Sequence, residues 1–526
     1  MFKKNRNLFI KILLIMSCPF FTMLLSGSFP FIYTMLSCFF SFILAILLSN
    51  NIKIEKNINN KSLFIYIFVS CYFITSILSF SNQSIIKIHS ILNNISINTI
   101  SSIIGILSLP IAIFYCKLFH DFTYNKIINF FKNLSKNEKL YLLIVSIMAT
   151  ITSIVIINYT TLFTNPFYDC DILYTSDTGQ LVNNDAYMNP SYSENDIRQP
   201  LFGVFSIPFS LSAKIISNTC FMCRSELRYP TVLTIIQFIL LSISTIMLAR
   251  LINISEDKKK YFYIFISLSF PYLLFSLLLE QYVIALFYLI LTIYCYFKNP
   301  NKTNYIYVFS VGTIITSGIL FPLIVKYKNF KQWFNSIFNC FQLFIIILAV
   351  SGQLSQIFGS FQLIKLLLNN FAKGLTFTDK LYQYSAFIKG LFFPNQGHII
   401  FKNTIPTYQL LEYNSLNWIG IIILLLCIIS FILNYKNKMA ILSMLWIAFS
   451  AIILLFIGWG TVENGLILYS LYFAWAFYIL IYLLIDKICK RKKIYLSIIS
   501  ILILVMFISN YYEFYNILKF AIKYYP

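Results

Sequence analysis

Long apolar runs separated by short polar connections make up almost the whole chain. A membrane-spanning helix needs roughly 20 mainly apolar residues, because only a helix pairs all of its own backbone groups inside lipid. The pattern therefore predicts an all-α integral membrane protein with about 13 to 15 transmembrane helices and two larger outer loops. The candidate spans are 8–26, 29–49, 63–80, 98–118, 140–160, 201–217, 230–249, 261–279, 281–297, 305–325, 337–358, 417–434, 439–458, 465–485 and 494–510.

Composition excludes a soluble protein. Of the 526 residues, 59% are hydrophobic and 11% are charged, whereas soluble domains carry about 25% charged residues. The formal charge of +22 comes from lysines placed between apolar segments, which is typical of cytoplasmic loops and not of a basic patch that binds nucleic acid. Membrane lipids are therefore expected partners, and nucleic acid is not.

The distribution of Lys and Arg predicts the orientation. The N-terminus and the connections 50–62, 119–139, 435–438 and 486–493 are basic and are expected in the cytoplasm. Five spans precede 161–200, so this loop is predicted to lie outside. A second outer loop is predicted over 360–415, with amphipathic helices on the membrane surface. Because the orientation does not fit if 201–217 and 230–249 both cross, one of these two segments or the Gly-interrupted segment 305–325 is expected to be a broken or partly inserted helix.

Acidic residues are scarce, yet six of them lie between Asn165 and Pro200. Asp177, in the sequence SDTGQ, is the principal candidate for a general base, because Gly179 permits a tight turn that would present its carboxylate. Asp185 follows as a second carboxylate. Asp169 and Asp171 form a DxD sequence, which could supply the base or hold a divalent cation; no other cofactor is expected. The alternative for each residue is simple solvation in an outer loop.

Several residues outside this cluster are candidates for substrate binding. Arg198 precedes a helix start and could bind a phosphate, or it could anchor the helix at the interface. Glu280 interrupts an apolar stretch, where a charge is costly unless it lines a site or sits at a helix end. Glu463, in GWGTVENG, has the same two interpretations. His398 and Lys389 are weaker candidates for binding a phosphate.

These features resemble one family of bacterial enzymes. A span, a long loop holding SDTGQ, and RQPLFGVFSIPF leading into the next helix are similar to the membrane glycosyltransferases of the GT-C superfamily, in the protein O-mannosyltransferase and aminoarabinose-transferase branch. LLLEQYVIALFYLIL and GTVENGLILYSLYF also resemble segments of this group. Two departures are that Arg198-Gln199 stands where many relatives carry His, and that four additional spans come first.

The resemblance implies an inverting transfer of a sugar from a polyprenyl-phosphate donor to a glycan, lipid or protein acceptor at the outer face of the bacterial inner membrane, with Asp177 or Asp171 as the base. It also implies an organisation of N-terminal transmembrane helices over 1–139, a GT-C-like core over 140–485, and a C-terminal helix and tail over 486–526. The alternatives are a repeat-unit polymerase, whose outer loops depend on Arg, and a polysaccharide flippase, which would place ionisable residues in the middle of several spans.

Overall fold

The computed structural model describes residues 2–27, 29–49, 60–80, 82–120, 125–163, 172–183, 186–190, 198–219, 227–252, 254–298, 303–320, 329–353, 360–402, 404–462 and 464–526. The first half of the chain forms α1 (Phe2–Ser26), α2 (Phe31–Ser49), α3 (Asn60–Leu78), α4 (Gln83–Ile91), α5 (Ile97–Phe119), α6 (Asn125–Lys132), α7 (Lys136–Tyr159), α8 (Thr178–Asn183), α9 (Phe202–Phe205), α10 (Ile207–Ser217) and α11 (Arg228–Leu251).

The second half is also mainly helical. It contains α12 (Glu256–Ser267), α13 (Phe270–Leu277), α14 (Tyr282–Lys298), α15 (Thr303–Thr313), α16 (Phe330–Val350), α17 (Ser360–Ala372), α18 (Phe377–Phe392), the strands β1 (Gly397–Lys402) and β2 (Ile405–Leu410), then α19 (Trp418–Leu433), α20 (Lys438–Ser450), α21 (Ser470–Ile488) and α22 (Lys492–Tyr524). A π-helical segment, Ala451–Ile457, extends α20, and a 3₁₀ turn, Gly465–Tyr469, leads into α21.

The chain is a multi-pass, all-helical membrane protein, as the hydropathy predicts. Eight helices in the described residues are long and apolar enough to cross a membrane, or up to 10 if two bent pairs, α3 with α4 and α12 with α13, each count as one span. Four of the other predicted spans correspond to shorter apolar helices, in α2, α10, α14 and α19. Of the three segments considered for a broken helix, 305–325 is interrupted: α15 ends at Thr313, and a short 3₁₀ turn, Ile315–Ile319, follows.

The chain divides into two compact units. The first comprises Met1–Ser135, Asp185–Leu211 and Phe338–Phe361, and its core is formed mainly by α1, α2, α3 and α5. The side chain of Asn82 fixes the bend between α3 and α4. It accepts hydrogen bonds from the first backbone N–H groups of α4 and donates to the carbonyl of Met23 at 2.9 Å, so the bend is held against α1.

The second unit comprises Lys136–Asn184, Ser212–Ile337 and Gln362–Pro526, and α21 is its central helix. The apolar window of α21 is 94% buried, and the helix contacts α19, α20, α13, α14 and α22. A helix that is apolar all round and covered on every side forms a core element rather than a lipid-facing one. Tyr478 on α21 donates to the carbonyl of Leu391 at 2.6 Å and thereby fixes the last turn of α18.

Paired charges mark one end of the second unit. Arg250 donates to both oxygens of the buried Glu138, each at 2.7 Å. Nearby, Lys258 pairs with Asp486, and Lys492 pairs with Asp257 at 3.3 Å. A buried bidentate pair of this kind satisfies both ions. We call this the paired-charge end.

The 360–415 segment differs in part from the expectation of surface helices. It contains two helices, α17 and α18, but most residues from Tyr384 to Phe392 on α18 are buried inside the unit. Gly420 on α19 makes this possible, since a Cβ there would lie 1.9 Å from the carbonyl oxygen of Ser385. The segment then forms an antiparallel hairpin, β1 with β2, which the hydropathy pattern does not indicate.

Candidate functional site

The described part of the acidic loop, residues 172–183, is anchored on the hairpin in the second unit. Tyr174 N–H donates to the carbonyl of Tyr408 at 3.0 Å, and Tyr408 N–H donates to the carbonyl of Ile172 at 2.7 Å, so the loop adds a short parallel bridge to β2. Tyr174 and Thr175 then adopt left-handed backbone angles, with φ of 53° and 62°. This conformation is rare for a β-branched residue and costs about 1–2 kcal/mol.

The left-handed turn places Asp177 at the start of the short helix α8, where its carbonyl accepts from Leu181 N–H at 2.9 Å. The side chain of Asp177 is half-buried. Its own N–H donates to the Glu280 carboxylate oxygen Oε1 at 2.7 Å. Two acidic residues that are 103 positions apart, and that the sequence identifies separately, are therefore in contact.

Glu280 lies in the break between α13 and α14 and is only 3% exposed. The backbone carbonyl of Glu280 accepts from the side-chain amide of Gln237 on α11 at 3.2 Å. Gln237 thus holds the backbone of Glu280, and Asp177 N–H holds its carboxylate. These two contacts fix the geometry of the break between the helices. The Glu280 carboxylate thus contacts the candidate loop, and its role in lining a site stays a prediction.

A third carboxylate, Glu513 on α22, lies on the other side of the same loop and is 3% exposed. Its Oε1 accepts three hydrogen bonds: from the Tyr408 hydroxyl at 2.8 Å, Gly397 N–H at 3.0 Å and the Tyr174 hydroxyl at 3.3 Å. Burial, and then the negative charge of Glu513, raise the pKa of Tyr174 and of Tyr408. Both phenols therefore remain protonated donors at neutral pH.

Lys389 and His398 lie close in sequence to Gly397, one of the donors to Glu513. Lys389, in the last turn of α18, donates to the carbonyl of Pro394 at 2.9 Å. Burial lowers the pKa of Lys389, while the charge of Glu513 acts in the opposite direction. His398 lies on β1 beside Gly397, and its Nδ1 is buried with no hydrogen-bond partner among the described residues.

The turn before α21 closes against the loop from a further side. A Cβ at Gly465 would lie 3.0 Å from the Thr175 hydroxyl, so only glycine fits there without displacing Thr175. Three half-exposed aromatic side chains follow one another next to this turn. The Trp459 indole N–H donates to the Tyr469 hydroxyl at 2.9 Å, and the rings of Tyr469 and Tyr282 are 6.1 Å apart. Aromatic faces of this kind can stack on sugar rings.

The remaining predicted site residues are placed as follows. Asp169, Asp171, Asp185 and Glu463 lie outside the described residues. Arg198 belongs to the first unit, just before α9, and is half-buried. No group of three or more His, Cys, Asp or Glu side chains with the arrangement of a metal site occurs in the part of the chain that the structure describes.

Comparison of the chain with protein-family models, with curated proteins and with solved structures finds no match. The family resemblance therefore rests on the short motifs quoted above. The helical architecture and the candidate spans are consistent with a polytopic membrane protein of any of the three classes considered. The residues that can carry chemistry are those of the loop, Glu280, and Glu513 with its hydrogen-bond donors.

Proposed function

We propose that the chain is a membrane glycosyltransferase that moves a sugar from a polyprenyl-phosphate donor to a glycan, lipid or protein acceptor of the cell envelope. One observation supports this proposal most directly: the Glu280 carboxylate holds the backbone of Asp177 at 2.7 Å. Asp177 is thereby fixed at the start of α8 with its side chain half-buried. A partly accessible carboxylate carried on a fixed backbone suits the role of a general base.

In the proposed reaction Asp177 accepts the proton of an acceptor hydroxyl or amine. The acceptor oxygen or nitrogen then forms a bond to the anomeric carbon of the donor sugar, and the bond between that carbon and the phosphate oxygen breaks. The electron pair of the broken bond leaves on polyprenyl phosphate, and the configuration at the anomeric carbon is inverted. Asp177 later returns its proton to water. The reaction needs no oxidant or reductant.

The donor phosphate is negatively charged, and we assign Lys389 to it. Burial disfavours the charged ammonium of Lys389, as the lowered pKa indicates. A bound phosphate would offset this effect, so binding of the donor and charging of Lys389 would support each other. Tyr282, Tyr469 and Trp459, beside Glu280 and Gly465, supply ring faces on which a sugar could stack.

The proposal is tested with Asp177→Asn in cells that depend on this chain for surface glycan. Because asparagine keeps the size of aspartate but cannot accept the proton, we expect at least about a 100-fold loss of product. The measurement is mass spectrometry of released glycans and glycolipids, with membrane insertion checked by immunoblot. Asp257→Asn, which changes an exposed acid at the paired-charge end, serves as the matched control. An Asp177→Asn protein that makes normal amounts of product would reject the proposed reaction.

A further inference from the structure

We propose that Glu513 is a positioning residue that holds the SDTGQ loop in the shape that presents Asp177. The inference deepens the proposed function and rests on it for its catalytic part. Its structural part rests on contacts alone. Oε1 of Glu513 binds one donor from the loop (Tyr174), one from β1 (Gly397) and one from β2 (Tyr408). A single buried oxygen thus joins three separate segments to α22.

Stability alone gives a poor account of this carboxylate. Burying an ionised carboxyl group costs several kcal/mol, and neutral donors recover only part of it. Glu138, equally buried at 3% exposure, has a bidentate partner in Arg250. Within the described residues Glu513 has no ion pair; its four hydrogen bonds come from two tyrosines, one backbone N–H and Asn516. Because the cost of burial offsets much of what these hydrogen bonds contribute, the placement of the three donors to its Oε1 is the clearer role of Glu513.

The contacts connect Glu513 to Asp177 by a short path. The Tyr174 hydroxyl is fixed by Glu513, and the Tyr174 backbone is fixed by Tyr408, which Glu513 also holds. Tyr174 and Thr175 form the left-handed turn, and Asp177 follows two residues later. Because this backbone conformation is unfavourable on its own, it persists only where the surroundings determine it. Glu513 determines one end of the turn and Glu280 the other.

The test measures amide hydrogen exchange of residues 172–183 in the full chain in detergent, together with glycan product in cells. In Glu513→Ala we expect exchange in the loop to rise by about tenfold or more, because the Tyr174 hydroxyl loses its acceptor and Tyr408, which holds the Tyr174 backbone, loses its own contact with Glu513. Helix α22 should keep its protection up to Asn510. Product should fall as loop exchange rises. Glu513→Gln keeps an acceptor oxygen at the same position and should recover both readouts to within about threefold of the wild type. Tyr512→Ala, an exposed neighbour on α22, is the control.

Tyr174→Phe tests the loop contact by hydrogen exchange without changing Glu513. It removes only the hydroxyl that Glu513 binds, and faster exchange confined to the loop would support the inference even if Glu513→Ala unfolds. Unchanged loop exchange in Tyr174→Phe, or in a folded Glu513→Ala protein, would overturn it. If loop exchange rises in Glu513→Ala but Asp177→Asn still makes product, the proposed reaction is rejected and the positioning contact is kept. Normal loop exchange in Glu513→Ala with product lost in Asp177→Asn would reject only the role of Glu513.

Discussion

Replacement of Glu280 probes the contact on which the proposed reaction depends. Glu280 is 3% exposed, and its Oε1 accepts from Asp177 N–H at 2.7 Å. A hydrogen bond to a charged group contributes about 1.5–3 kcal/mol, and one between neutral groups contributes about 0.5–1.5 kcal/mol. Glu280→Gln keeps the acceptor oxygen but loses the charge, so the loop anchor should weaken by about 1 kcal/mol. Glu280→Ala removes the acceptor, and the anchor should weaken by about 2 kcal/mol.

These values predict a graded loss of function. If product formation requires the anchored loop, a weakening of about 1 kcal/mol reduces the anchored population by up to about fivefold, and 2 kcal/mol by up to about 30-fold. The assay is product formation by membranes containing equal amounts of each variant, normalised by immunoblot. Gln237→Leu provides a reference, since it removes the hydrogen bond from Gln237 to the backbone carbonyl of Glu280.

The order of the two Glu280 variants decides between interpretations. If the Glu280 carboxylate only positions the loop, product formation is highest in the wild type, lower in Glu280→Gln and lowest in Glu280→Ala. If Glu280 itself transferred the proton, the two variants would be equally inactive, because neither amide nor methyl accepts a proton. Full activity in Glu280→Ala, with the protein correctly inserted, would refute the argument that the Asp177–Glu280 contact matters.

Two further replacements test the packing around the site and the paired-charge end. In Gly397→Ala the new Cβ would lie 2.2 Å from the ring of Tyr408, so the ring must shift and its hydroxyl contact with Glu513 should be disturbed. Product should fall, and the helical content measured by circular dichroism should remain. Arg250→Ala leaves Glu138 buried without its bidentate partner and should destabilise the protein by about 3–5 kcal/mol, whereas the double variant Glu138→Gln, Arg250→Met should recover most of that loss in thermal unfolding.

Hydropathy predicts most of the helical architecture of this chain. Backbone N–H and C=O groups must be hydrogen-bonded inside lipid, and few structures other than a long apolar helix achieve this. The packing of α18 does not follow from its own sequence. Its burial depends on Gly420, 35 residues after Ser385, which allows the two helix backbones to approach. Such a close contact between distant segments leaves no periodic signal in either segment.

The residues of the candidate site also differ in how far the sequence predicts them. Asp177 is identified from sequence because it lies in the acidic loop beside Gly179, and Glu280 because it interrupts an apolar stretch. Glu513 is equally isolated, in ISNYYEFYNILKF, but the last span was expected to end near residue 510, and a glutamate beyond a span would simply be solvated. In the structure α22 continues to Tyr524, which places Glu513 about 30 Å along the helix from Lys492 and inside the unit.

The unpredicted hairpin explains why Glu513 could not be recognised beforehand. The three donors to Oε1 of Glu513 come from residues 174, 397 and 408. They meet only after β1 pairs with β2 and Tyr408 pairs with the loop. A carboxylate that is satisfied by neutral donors has no sequence partner of opposite charge to reveal it. If Glu513 positions the loop as proposed, Glu513→Ala on α22 should lower product formation, whereas Tyr512→Ala, at an exposed neighbour on the same helix, should not.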